Sequence, residues 1–214
     1  MTQTRDFFDA YAHDFDDLYG APKNLFNSIV NPIFRKSMNL RYQKTLEYAK
    51  PIEGRSVLDI GCGPGHYSVA LAKAGAGKIV GIDFAEEMIN IAKHRAELEN
   101  VTERCEFIVA DILEYQSNEK FDYSILMGFM DYIADAPALI QKVVSLTKDR
   151  IFFSFPIDDG LLAAQRKWRY RNRCPLYMYK EKELKELFAG FAPMKYQMEQ
   201  ISRDFFVTLD VKTS

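Results

Sequence analysis

Apolar positions early in the chain recur with a helical period. In residues 5–19, Phe7, Phe8, Tyr11, Phe15, Leu18 and Tyr19 share one side, and Asp6, Asp9, Asp16 and Asp17 fall mostly on the other. That is the pattern of an amphipathic helix. A second helical stretch covers roughly 23–49, where Pro32 is expected to break or restart it. From residue 55 the period changes. Short apolar runs, each with only a few polar positions (SVLDI, KIVGID, CEFIVA, FDYSILMG and RIFFSFP), alternate with helical segments at about 66–75, 85–99 and 135–147. Such strands, separated by helices, predict a parallel sheet covered on both faces. A basic stretch and a helix near 180–189 follow, and then MKYQMEQI and DFFVTLDV read as a closing antiparallel pair. The predicted fold is α/β. It is a Rossmann-like, doubly wound sheet of seven strands, mostly parallel with the last strand antiparallel, under an N-terminal helical cap.

Composition narrows the function classes. A chain of 214 residues suits one domain with a sizeable core. Its net charge of −2 argues against recruitment of nucleic acid or of an anionic membrane. Cys62, Cys105 and Cys174 are odd in number and widely spaced. They form neither a disulfide framework nor a metal-ligand set, so no metal site and a reducing cytoplasm are expected. The start, MTQTRDFFDAYAHDF, is polar and acidic, unlike a signal peptide. No apolar run approaches a membrane span. The 16 Phe and 12 Tyr suit a pocket for a planar ligand, and equally a well-filled core.

Chemistry concentrates in VLDIGCGPGHYS, residues 57–68, where Asp59, Gly61, Gly63 and Gly65 fall on every second position. The stretch leaves the first strand and enters a helix, which is where doubly wound sheets bind ligands. Glycines there permit tight turning and close backbone approach. The spacing is GxGxG rather than the GxGxxG that usually holds a pyrophosphate. Asp59 would repel a dinucleotide's phosphates, but it suits a ligand that carries an ammonium. Asp83 closes the second strand, IVGID, where a carboxylate can accept hydrogen bonds from both ribose hydroxyls. In VADI, Asp111 ends the third strand as a possible acceptor for an adenine amino group.

This set resembles the class I S-adenosylmethionine-dependent methyltransferases, strongly over about 55–155 and loosely elsewhere. The resemblance implies S-adenosyl-L-methionine as cofactor, S-adenosyl-L-homocysteine as product, and a transferase acting on a small molecule. By carry-over, Asp59 lies near the methionine ammonium, and Gly61, Gly63 and Gly65 lie under the ligand. Asp83 is the ribose acid, Phe84 and Met88 pack near the adenine, and Asp111 and Ile112 flank it. Met127, Gly128 and Phe129 line the pocket after the fourth strand. Apart from this carry-over, the aromatic stripe of Tyr11, Phe15 and Tyr19 is placed to close over the cofactor, with packing of an apolar face on the core as the plainer alternative. The single domain then divides into an N-terminal helical cap (1–50), a cofactor-binding core (51–155), a basic aromatic substrate lid (156–180) and a C-terminal helix and strands (181–214).

Methyl transfer is an in-line displacement, so the protein's main work is alignment and exclusion of water. A weakly acidic nucleophile also needs a base. Many family members carry a histidine where this chain has Asp131 and Tyr132, a departure that counts against a histidine base. Asp131 is placed to orient or deprotonate a hydroxyl or amine, or to cap the following segment. His66, at a helix N-terminus where the dipole disfavours imidazolium, is a second catalytic candidate or a lining residue.

Arg166, Lys167, Arg169, Arg171 and Arg173 fall within eight residues, interleaved with Trp168, Tyr170, Tyr177 and Tyr179. Arginine pairs bidentately with phosphate and carboxylate. The segment therefore points to an anionic small substrate, with Arg169, Arg171, Tyr177, Tyr19 and Tyr132 as its contacts and O-methylation favoured. A solvated helix face is the plainer alternative. Thin likeness to the magnesium-protoporphyrin methyltransferases adds carboxyl methylation of a tetrapyrrole as another. Two further classes compete, a non-catalytic S-adenosylmethionine-binding scaffold and a nicotinamide-dependent dehydrogenase. Glycine spacing and Asp59 count against the dehydrogenase. The intact glycines and ribose acid count against the scaffold. The expected assembly is a monomer or homodimer.

Overall fold

The computed structural model describes residues 27–171 and 175–212, with backbone alone before residue 36 and at 162, 169 and 170. Helix α1 (Asn27–Tyr48) leads into β1 (Ser56–Ile60), α2 (His66–Lys73), β2 (Lys78–Asp83), α3 (Glu86–Leu98) and β3 (Cys105–Val109). Then come β4 (Phe121–Leu126), α4 (Ala136–Leu146), β5 (Thr147–Pro156), α5 (Gly160–Tyr170), α6 (Glu181–Ala189), β6 (Lys195–Ile201) and β7 (Asp204–Asp210). The strands form one seven-stranded sheet in the order β3-β2-β1-β4-β5-β7-β6. β1 to β5 run parallel, and β7 is antiparallel to both β5 and β6. This is the doubly wound α/β architecture that the alternation predicts.

Local chemistry explains the elements. Asp135 caps α4 by accepting the Ala138 N–H at 3.0 Å, with Pro137 in the first turn. Glu86 and Glu87 open α3, favourably placed for its dipole. The Lys180 N–H donates to the Glu183 carboxylate at 2.7 Å and starts α6. Pro32 does not break α1, contrary to expectation; the helix runs through it. Near the N-terminus a proline removes a single ladder bond, and the long remainder carries the helix.

The strand period of two divides the core. Phe152 faces the α1–α2–α3 layer with Val57, Leu71, Ile79, Ile89 and Phe206, whereas its neighbour Phe153 faces the other layer. There Phe188 of α6 meets Phe153 and Phe155 at 5.8 Å and Tyr196 at 5.2 Å between ring centroids. No helix among the described residues is long and apolar enough to cross a membrane.

β1 pairs with β2 on one side and β4 on the other. Chain order therefore reverses beside β1, and the loops after β1 and β4 bound a crevice at the strands' carboxyl ends. Doubly wound sheets bind ligands at such a switch point.

Candidate active site

The three loop glycines serve different purposes. Gly61 has φ +66°, and a Cβ there would run into the ring of Phe129 from the β4 loop. At Gly65, φ +77°, a Cβ would lie 2.9 Å from the Ala92 Cβ and 3.3 Å from Phe107. That glycine lets α2 begin close against α3. Only Gly63, φ +51°, opens onto free space, with nothing within 4 Å of its would-be Cβ.

Two carboxylates brace this loop. Asp83, 9% exposed, accepts the Gly63 N–H at 3.0 Å and the Ala85 N–H at 2.9 Å. It thus fixes the glycine turn and the start of α3 together. Asp59, 2% exposed at the end of β1, accepts the Ser68 hydroxyl at 2.6 Å. Burial pushes its pKa up to about 7, against the pull of the Ser68 hydrogen bonds. From α3, the Arg95 Nε donates to the Pro64 carbonyl at 2.8 Å.

The other expected contacts surround this loop. Met88 is buried beside Ala85, with half-buried Phe84 packed on them. Ile112 is buried, and the Asp111 carboxylate accepts the Leu113 N–H at 2.9 Å, which turns the chain after β3. Met127, Gly128, Phe129 and Tyr132 are half-buried on the β4 loop. Tyr11 and Tyr19 lie outside the described residues, as does the side chain of Arg169.

Of the two catalytic candidates, His66 is the first residue of α2. Burial, followed by the Arg95 charge, lowers its pKa to about 3. An imidazole that hard to protonate is a poor proton acceptor at neutral pH. Asp131 is 2% exposed in the 3₁₀ turn Met130–Tyr132. It does not cap the following helix, since Asp135 does. Instead it forms an ion pair with Arg166 of α5. Burial raises its pKa and the neighbouring Asp204 adds to that, while Arg166 and Arg41 pull it down.

Asp131 is one corner of a buried charged cluster that local sequence does not reveal. Arg166 also reaches Asp204 at 3.5 Å, and the Arg41 Nε lies 3.6 Å from the same carboxylate. The Ser37 hydroxyl donates to Asp204 from 167 residues away. Arg41 Nη1 donates to the Ser154 hydroxyl at 3.3 Å, and that oxygen accepts the Gly128 N–H at 2.7 Å. One signal was available: Arg41 interrupts the buried face of α1, between Met38 and Thr45 at helical spacing.

The basic segment is therefore not one free patch. Arg166 is buried in the cluster, Lys167 pairs with Asp158 at 2.6 Å, and Arg171 stacks over Trp168 at 5.4 Å. A cavity of about 710 Å³ opens between α5 and the β6–β7 hairpin, lined by Arg166, Arg203, Ser202, Gln200, Lys180 and Phe205 among others. No glycine-loop residue lines it. Tyr177, 36% exposed, stands near this segment and donates its N–H to the Asp131 carbonyl at 2.7 Å.

Residues 52–189, more than half of the chain, match the family model described as a methyltransferase domain. The chain belongs to that family. It is an S-adenosylmethionine-dependent methyltransferase of class I. Among curated proteins, it is 32% identical over 151 residues to the ubiquinone biosynthesis O-methyltransferase of Coxiella burnetii, covering 69% of this chain and 58% of that one. It is 32% identical over 146 residues to the mitochondrial ubiquinone biosynthesis O-methyltransferase of Mus musculus, covering 66% and 39%. The match thus spans less than two thirds of these relatives' own length. Among solved structures, the magnesium protoporphyrin IX methyltransferase of Synechocystis PCC 6803 with bound S-adenosylhomocysteine superposes with a TM-score of 0.78 at 21% identity, over 98% of both chains. The DhpI–S-adenosylhomocysteine complex gives 0.72 at 16% identity, over 97% of this chain and 95% of that one. At those identities the likeness establishes the shared fold.

The methyltransferase's own geometry fits its cofactor. Above Gly63 there is room for a ligand against bare backbone. Asp59 is a buried carboxyl with a raised pKa, a site where an incoming ammonium supplies the missing countercharge.

Proposed function

We propose that this methyltransferase methylates an oxygen of a small anionic acceptor. The observation that carries the cofactor side of the reading is Asp83 holding Gly63 by its N–H while the space over Gly63 stays open. The curated relatives, named as O-methyltransferases, support oxygen as the target atom. When bound, S-adenosylmethionine supplies a methyl activated by its sulfonium, which leaves as a neutral thioether.

The chain's residues do the rest by binding and orientation. Asp59 holds the ammonium, Asp83 the ribose hydroxyls, and Phe84, Met88, Asp111 and Ile112 the adenine. Gly61 and Gly65 shape the loop, and Met127 and Phe129 wall it. Tyr11 is proposed to cover the cofactor, and Tyr19, Tyr132, Arg169, Arg171 and Tyr177 to contact the acceptor. Arg171, exposed and stacked on Trp168, is placed to read the acceptor's charge. His66 lines the site as a neutral ring. Asp131, engaged by Arg166, acts by orientation and does not remove a proton. An acceptor that reaches the site ionised, a phenolate or a carboxylate, needs no base from the protein. Widely spaced cysteines support action in the cytoplasm.

The test is calorimetric titration with S-adenosylmethionine, S-adenosylhomocysteine and NAD, followed by radiolabelled methyl transfer to hydroxybenzoates, catechol carboxylates and a porphyrin dicarboxylate. Binding of the first two ligands alone, with transfer to the phenolic acids, is the expected outcome. Transfer to the porphyrin alone would replace O-methylation of a hydroxyl by esterification of a carboxylate.

A further inference from the structure

One chain of contacts crosses from the glycine loop to the segment after β5. Phe129 lies against Gly61, so closely that no side chain fits between them. Phe129 also opens the 3₁₀ turn, where the Tyr132 N–H donates to its carbonyl at 3.1 Å. The 156–180 segment grips that turn at two points. The Tyr177 N–H donates to the Asp131 carbonyl at 2.7 Å, and the Arg166 guanidinium pairs with the Asp131 carboxylate. Arg166 reaches Asp204, at the start of β7, from the same fork.

A guanidinium is planar and always charged, and a carboxylate engaged by it is fixed in angle as well as in distance. Both partners are almost wholly buried, at 12% and 3% side-chain exposure. Separating them would strand a charge away from water. The turn and α5 are thus obliged to hold their relative position together, and Phe129 is carried on the turn.

We propose that Arg166 is a positioning residue. Through Asp131 it keeps Phe129 seated on Gly61, and it thereby couples occupancy of the cofactor loop to helix α5. The proposal rests on the cofactor assignment but on no particular acceptor. Coupling of this kind is reciprocal, so whatever favours the seated loop also favours the docked helix.

The chain carries its own reporter. Trp168, the single tryptophan, lies on α5 two residues past Arg166 and is 67% exposed. The experiment is a titration of the full chain with S-adenosylhomocysteine, followed in parallel by calorimetry and by Trp168 emission. Wild type is expected to show an emission change that saturates with the calorimetric Kd. Arg166→Gln is expected to bind about 5- to 10-fold more weakly, a modest coupling, and to lose the emission change even at saturation. Arg166→Lys is expected to restore part of it. Phe129→Ala alters no charge and is expected to silence Trp168 with the Arg166–Asp131 pair intact; it decides the matter if Arg166→Gln does not fold. Wild-type binding with a silent Trp168, or an undiminished response in Arg166→Gln or Phe129→Ala, overturns the proposal and leaves the cofactor assignment standing. No calorimetric binding by wild type overturns that assignment, and the proposal with it.

Discussion

The Ser68 hydroxyl donates to the Asp59 carboxylate at 2.6 Å, and this is the polar partner that the described side chains give to an acid buried at the end of β1. The hydrogen bonds from the Ser68 hydroxyl and backbone offset only part of the burial, so the pKa stands at about 7 rather than 3.8. Because the folded value lies above the unfolded one, Asp59 contributes full stability below about pH 4. That contribution falls as pH rises through 7 and changes little beyond.

A ligand ammonium beside Asp59 reverses the shift, so binding near pH 6 should expel a proton. Calorimetry of S-adenosylhomocysteine in buffers of different ionisation enthalpy measures this directly. Close to one proton released at pH 6, little at pH 8, and none from Asp59→Asn is the expected result. Equal proton release from Asp59→Asn would assign the proton to another group.

Gly63→Ala and Gly65→Ala should separate binding from folding. At Gly65 the new methyl meets the Ala92 Cβ at 2.9 Å and its Cα at 3.2 Å, backbone that cannot turn aside. With the positive φ added, a loss on the order of 2–4 kcal/mol is expected, read as a lower urea midpoint. At Gly63 the methyl enters open space, so the cost is backbone strain alone, about 1–2 kcal/mol. Its main effect should be weaker S-adenosylhomocysteine binding, measured by calorimetry on a protein that still unfolds cooperatively.

Asp83→Asn keeps the shape but halves the acceptor capacity that serves both Gly63 and Ala85. Cofactor affinity should drop by roughly tenfold or more, the scale of a lost charge-assisted hydrogen bond. Near-ultraviolet circular dichroism checks that the fold persists. Unchanged affinity would remove Asp83 from the binding site.

Arg171→Ala should raise the KM for an anionic acceptor by roughly two- to fivefold, the usual range for one exposed charged contact. The Kd for S-adenosylhomocysteine should stay put, since Arg171 stacks on Trp168 and takes no part in the Arg166 cluster. Loss of cofactor affinity in this variant would mean that the α5 end reaches the cofactor and not the acceptor.

The sequence by itself determined the sheet, the helices between its parallel strands and the place of the glycine loop after β1. Short, mainly apolar runs such as SVLDI and KIVGID, alternating with helical segments, point to doubly covered strands, and glycine spacing with Asp59 and Asp83 is local information carried by neighbouring residues. Local information did not reveal that Gly61 and Gly65 also face Phe129 and Ala92, which only folding brings near. The basic segment shows the same limit. Arg166 and Arg171 look alike in RKWRYR, yet one is buried against Asp131 and Asp204 and the other stacks on Trp168. Charge pairing across tens of residues follows from where strands and helices pack, and no spacing along the chain encodes it. The tertiary structure therefore decided what Asp131 does, because a buried carboxylate takes its chemistry from its partner.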